Sequence, residues 1–161
     1  MEDTLFNTPK NKTITAYDFA GNKHERNLAN FKFRASAYGV LIEDNKILFK
    51  RHPSIDKFDL PGGGVEIDET IPVALIREFK EETGLDVELD KLLSVEDSFF
   101  TTGAEDAHGI LVFYLVKKVG GNLKIIDTES VEINFFDLDK LDINDIHKSC
   151  WNVVDLIKNN K

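Results

Sequence analysis

The sequence predicts an α/β fold, and three observations carry that prediction. Strand-like runs alternate with two segments of helical period. The run "AHGILVFYLVKKV" is apolar enough for a central strand. Thr70 to Gly84 has both a start and a stop signal for a helix. With 161 residues, 42% of them hydrophobic and 30% charged, the chain is long enough for one layered domain with its own core.

The elements follow in order. Residues 1–12 read as a flexible tail and 13–161 as a single domain, with its core at about 33–140. "TITAYDF" alternates β-prone residues and "AGNKHERNL" brings a turn signal, so a strand or hairpin precedes the core. "FRASAYGVLI" and "KILFKR" form two strands joined across "EDNK". "HPSIDKFDLPGGG" reads as a loop punctuated by Pro53, Pro61 and three glycines. In the helix that follows, Thr70 is the N-cap, Pro72 lies in the first turn and Gly84 closes the end. Val73, Leu75, Ile76 and Phe79 make its apolar arc, with Glu78, Glu81 and Glu82 on roughly the opposite one. "DVELDKLLSVEDSFFT", the central run, "LKIID" and "VEINFFDL" supply further strands. "DINDIHKSCWNVVDLIKNN" spaces Ile146, Cys150, Val153/Val154 and Ile157 as a closing helix.

Composition narrows the function. A net charge of -9 with no basic run argues against binding long nucleic acid, while a small phosphorylated ligand with a local cation remains compatible. One cysteine, Cys150, excludes an internal disulfide and multi-cysteine metal sites, and fits a reducing compartment such as the cytoplasm. The polar start does not read as a signal peptide, and no apolar run approaches a membrane span.

The chemistry gathers at "REFKEETG". Glu78, Glu81 and Glu82 stand at i, i+3 and i+4, where like charges repel, and in the last turn, where the helix dipole opposes them too. A solvated acidic face has the same pattern. Nothing nearby in the sequence obviously neutralises them except Arg77, and a local rule broken without visible compensation points to a site. Clustered hard oxygens suit Mg²⁺ or Mn²⁺. Without metal, Glu82→Gln is then expected to leave the protein equally stable or more so. Upstream, the bare backbone of "LPGGG" lets a metal or phosphate approach closely.

Gly63 to Leu85 resembles the Nudix box, Gly-x5-Glu-x7-Arg-Glu-U-x-Glu-Glu-x-Gly-U, with U a bulky apolar residue. Gly63, Glu69, Arg77, Glu78, Phe79, Glu81, Glu82, Gly84 and Leu85 fill every defined position. "FDLPGG" is similar to the family's aromatic-x-x-Pro-Gly-Gly lead-in, and "INFFDLDKL" to its late strand-to-loop exit. The resemblance implies an α/β/α sandwich around a mixed sheet. It also implies a metal-dependent hydrolase for a nucleoside diphosphate linked to another group X. In that frame Glu78 and Glu81, with Arg77, carry catalysis. Glu78, Glu81, Glu82 and the Gly62 carbonyl hold Mg²⁺ or Mn²⁺. Gly63, Glu69 and Gly84 are structural, Glu69 bracing loop and helix.

Many relatives take a further acid from a later segment. Glu105, Asp106, Glu129 and Glu132 are candidates, with Glu129 preferred. Arg34 and Arg51 are the candidate phosphate contacts, with Lys50 beside them and His108 in a flanking loop. "SVEDSFFTTGAED" lacks the proline typical of ADP-ribose hydrolases and the tyrosine of diadenosine polyphosphate hydrolases, which leaves a nucleoside triphosphate or a nucleotide sugar. The alternatives are an isomerase of the isopentenyl diphosphate type, against which the position of Cys150 argues, and a non-catalytic nucleotide-binding module, against which the intact box argues. The segment 13–32 is expected to cover a sheet edge or support a homodimer.

Overall fold

The computed structural model describes residues 12–18, 20–51, 57–124 and 132–159. The N-terminal segment is a hairpin: Thr13–Tyr17 (β1) pairs antiparallel with Lys23–Asn27 (β2). Phe31–Glu43 (β3) and Lys46–Arg51 (β4) follow. Between them Asp44 and Asn45 hold φ of 48° and 63°, the left-handed values that a two-residue turn demands.

The predicted loop "HPSIDKFDLPGGG" needs correction. Residues 52–56 lie outside the described residues, but Phe58–Asp59 (β5) and Gly62–Gly64 (β6) are short strands on β4 and β3. The glycines permit this pairing. Gly62 has φ of 141°, and a Cβ there would stand 2.1 Å from the Ala37 carbonyl oxygen.

Ile71–Thr83 (α1) leads to two long antiparallel strands, Leu85–Thr101 (β7) and Asp106–Gly121 (β8). Glu132–Asp137 (β9) pairs with β4, and Trp151–Asn159 (α2) ends the described chain. "LKIID" falls largely outside the described residues. The closing helix is shorter than predicted. Asp142 accepts the Asn144 N–H, and Ile146 bridges to Phe58, so residues 143–145 and 148–150 stay as 3-10 turns ahead of α2.

The nine strands among the described residues make one mixed sheet, ordered β2-β1-β7-β8-β3-β4-β5, with β6 on β3 and β9 on β4. β3 and β8 run parallel from Phe31 opposite Asp106 to Leu41 opposite Val116. Alternation along β3 then separates two cores. Ala37 and Leu41 pack with Leu75 and Phe79 of α1. Val40 packs with Cys150, Val153 and Val154 on the other side. Helix, sheet and helix stack as the α/β/α sandwich. No helix among the described residues is long and apolar enough to cross a membrane.

Candidate active site

Helix α1 carries the acids, and its phase differs from the sequence reading. Thr70 occupies the N-cap without a side-chain cap bond, and Gly84 takes the left-handed C-cap with φ of 75°. Val73 and Ile76 are exposed, whereas Ala74, Leu75, Phe79 and Glu82 are buried. Leu75, Phe79 and Glu82 follow i, i+4, i+7, so Glu82 belongs to the core-facing stripe and not to the opposite arc.

That burial has a partner. Glu82 is 4% exposed. Its Oε1 accepts from the Lys50 ammonium and its Oε2 accepts the Gly62 N–H at 2.8 Å. Loss of water pushes the Glu82 carboxyl up to about 7, against the opposing pull of Lys50 and the Gly62 N–H. The expectation that Arg77 is the one neutralising cation, and that Glu82→Gln is harmless without metal, is therefore corrected. Lys50 is legible in retrospect: alternation along "KILFKR" turns Lys50 toward α1, with Leu48, and Arg51 away from it.

Arg77 ties the rest together. Its guanidinium donates to both oxygens of Glu69, at 3.1 and 2.5 Å, and to the Gly64 carbonyl at 3.2 Å. Its Nη1 donates to Glu78 at 2.9 Å and to Glu81 at 3.2 Å. Glu69 also accepts the Glu66 N–H at 2.9 Å, and the bonds from Arg77 hold its carboxyl below the usual range. Glu69 thus links the loop at Glu66 to Arg77 of the helix. The bare faces of β6 complete the cluster. A Cβ on Gly63 would fall 2.7 Å from the Glu78 carboxylate, and one on Gly64 would fall 2.5 Å from the Arg34 guanidinium.

The other candidates scatter. Arg51 pairs with Glu132 at 2.5 Å and lies over the Phe58 ring at 5.5 Å. Glu105 pairs with Lys32, and Asp106 with Arg26, at the β7–β8 turn. Glu129 lies outside the described residues. His108 stacks on Phe99 and meets Asp97 at 3.3 Å. Cys150 precedes α2 instead of lying on it; it is buried and donates to Asp59 at 2.9 Å, and burial holds its thiol well above the ordinary range. A thiol kept neutral and enclosed argues further against an isomerase.

Among the described residues no three His, Cys, Asp or Glu side chains are gathered as a finished metal cage. Cations of the chain itself hold the carboxylates, with Arg77 Nη1 standing between Glu78 and Glu81. Such a point of convergent oxygens suits a hard divalent ion. The oxygens of Glu78, Glu81, Glu82 and the Gly62 carbonyl are hard donors, and the chemistry of that set fits Mg²⁺ or Mn²⁺.

Residues 32–156 match the NUDIX domain family. The chain is 41% identical over 106 residues to a Methanocaldococcus jannaschii protein named ADP-ribose pyrophosphatase, covering 64% of this chain and 61% of that one. It is 33% identical over 107 residues to a MutT-like protein of Streptomyces ambofaciens, covering 66% and 65%. The matched segment therefore spans less than two thirds of these curated relatives. The fold superposes on the MutT protein of Methanosarcina mazei Go1 with a TM-score of 0.68 at 21% identity, over 81% of this chain and 97% of that one.

Proposed function

The chain belongs to the NUDIX family, and from that premise we propose that it hydrolyses the phosphoanhydride of a nucleoside diphosphate linked to a sugar. One observation carries the reading: two glutamates of one helix face converge on a single guanidinium nitrogen beside a bare glycine strand. The name of the M. jannaschii relative supports a nucleotide sugar over a nucleoside triphosphate and makes ADP-ribose the first substrate to try.

Each residue then has a task. Glu78, Glu81, Glu82 and the Gly62 carbonyl would hold Mg²⁺ or Mn²⁺, which when bound would supply charge neutralisation of the diphosphate and a more acidic water. Glu78, lying against Gly63, is placed to take the proton of an attacking water at its carboxylate. Arg77 orients Glu78 and Glu81 through their shared bond. Arg34, against Gly64, offers a cation to the phosphate beside β6, more directly than Arg51, which is engaged with Glu132. The P–O–P bridge breaks and each phosphate leaves as a monoester.

The test is product analysis on ADP-ribose, UDP-glucose and nucleoside triphosphates. AMP and ribose 5-phosphate should form from ADP-ribose in Mg²⁺ or Mn²⁺ and should not form in excess chelator. Glu81→Gln should lower kcat by roughly 100-fold or more. Undiminished turnover in chelator would sink the metal-dependent reading.

A further inference from the structure

Lys50 stands outside the box, yet it reaches the last glutamate of that box from a neighbouring strand. Its backbone is fixed on both sides. In β4 it lies opposite Asp59 of β5 and Ile133 of β9, so its Cα cannot shift without breaking two ladders. Its stem leaves the sheet on the α1 side, where Leu48 and Ile133 pack beneath the helix. The flexible methylenes that carry the ammonium remain free to swing.

The two cations of the cluster hold its acids differently. Arg77 can release Glu78 and Glu81 to an incoming ion and stay anchored on Glu69 and the Gly64 carbonyl. Lys50 meets Glu82 at the dry end of the cluster. Their side chains are 13% and 5% exposed, against 57% for Glu81. Both oxygens of Glu82 are engaged before any ion arrives, one by the ammonium and the other by the Gly62 N–H at 2.8 Å. Little water separates a charge placed on Glu82 from its neighbours, so that charge is weakly screened.

A buried acid in this position faces a conflict. Without a partner it destabilises the metal-free fold. With a cation as partner it offers a like charge to any divalent ion that shares it, and juxtaposed like charges oppose binding strongly. We propose that Lys50 is a place-holder cation: it occupies Glu82 in the metal-free protein, ties α1 to β4, and competes with the divalent ion for that carboxylate. The free ion is therefore held more weakly than the acids alone would hold it. By reciprocity, the ion loosens the Lys50–Glu82 bond by as much as that bond weakens the ion. Lys50 is thus a positioning residue that acts through Glu82, and its role rests on the metal-dependent reading of the site.

The test needs no substrate. Melting temperatures of the full chain titrated with MgCl₂ give an apparent Mg²⁺ constant, each protein being compared with itself in chelator. The titration is run at about pH 9, where even a buried carboxyl is largely ionised. Lys50→Gln keeps a donor for Glu82 and loses the charge, so it should bind Mg²⁺ about 10-fold tighter than the parent. Lys50→Arg keeps the charge and should bind equally or up to about 3-fold more weakly, because two parallel donors grip a carboxylate harder. Lys140→Gln removes the same charge from an exposed position beyond the far end of the β4–β9 ladder, and should change Mg²⁺ binding less than about 2-fold. Mg²⁺ binding in Lys50→Gln that equals or falls below the parent's overturns the proposal, since a merely structural lysine would disorder Glu82 when removed. An equal gain in Lys140→Gln also overturns it, because net charge alone would then be responsible. Should Lys50→Gln not fold in chelator, Lys50→Arg decides, and tighter Mg²⁺ binding there overturns the proposal. If neither the parent nor any variant responds to Mg²⁺, the metal-dependent reading and the proposal fall together. Mg²⁺ binding by the parent with no gain in Lys50→Gln sinks the proposal alone.

Discussion

Glu82 ends the buried stripe of α1, and Lys50 reaches it from β4 with side-chain exposures of 5% and 13%. Truncating one partner of such a pair leaves the other charge buried without compensation, which costs about 2–4 kcal/mol. Glu82→Gln should therefore lower the melting temperature of the metal-free protein, by roughly 5–15 °C for a domain of this size. Adding Lys50→Met should recover more than half of that loss, because two apolar-tolerant side chains replace an orphaned ammonium. Thermal melts of the three variants in chelator check this, and a shift under about 1 °C for Glu82→Gln would show that the pair contributes nothing. Magnesium should stabilise the parent more than the single variant, since a ligand-binding carboxylate is missing from it.

At the scale of elements, the turn between β5 and α1 is where glycines act differently from one another. Gly63 needs only empty space, because the atom that a Cβ would strike is the flexible end of Glu78. Gly62 needs its φ of 141° and close contact with the Ala37 backbone. Gly63→Ala should thus keep the fold, with a melting shift under about 3 °C, yet lower kcat roughly 100-fold by moving Glu78. Gly62→Ala should lose several kcal/mol, on the order of 3, and unfold at markedly lower temperature. Circular dichroism melts beside turnover separate the two, and equal damage in both would refute the distinction. The box itself was legible because its spacing is local: Arg77, Glu78 and Glu81 meet within one helix, and Glu69 is a loop away. The pairings of Lys50 with Glu82 and of Asp59 with Cys150 were not: alternation along β4 gives the side to which Lys50 turns but not its partner, and the partners lie 32 and 91 positions distant. The hairpin was half legible. Alternation in "TITAY" predicted a strand, but only the parallel pairing of Tyr17 with Phe100 shows that it covers the edge of β7.

For the molecule as a whole, alkaline pH is the revealing condition. Burial pushes both the Cys150 thiol and the Tyr38 phenol upward from their ordinary 9.0 and 10.0. A group whose folded pKa is raised contributes stability that is complete below its unfolded pKa and is lost as pH rises toward the folded one. Stability should accordingly decline from about pH 9 upward, as the unfolded thiol and phenol release protons that the folded ones keep. Urea midpoints at pH 8, 9 and 10 measure it, and Cys150→Ala should make the decline shallower. A midpoint rising over that range would contradict the assignment. One further consequence follows from the parallel pairing of β3 with β8, whose partners stand about 75 positions apart from Phe31 opposite Asp106 onward. Closing a loop of that length precedes any reward from the contacts it makes, so the central ladder sets a slow step in folding. During synthesis the acidic helix and its glycine strand leave the ribosome well before β8 does. Until β8 arrives, the strand beneath them has no neighbour on that side, and the nascent chain must wait with β3 unpaired there.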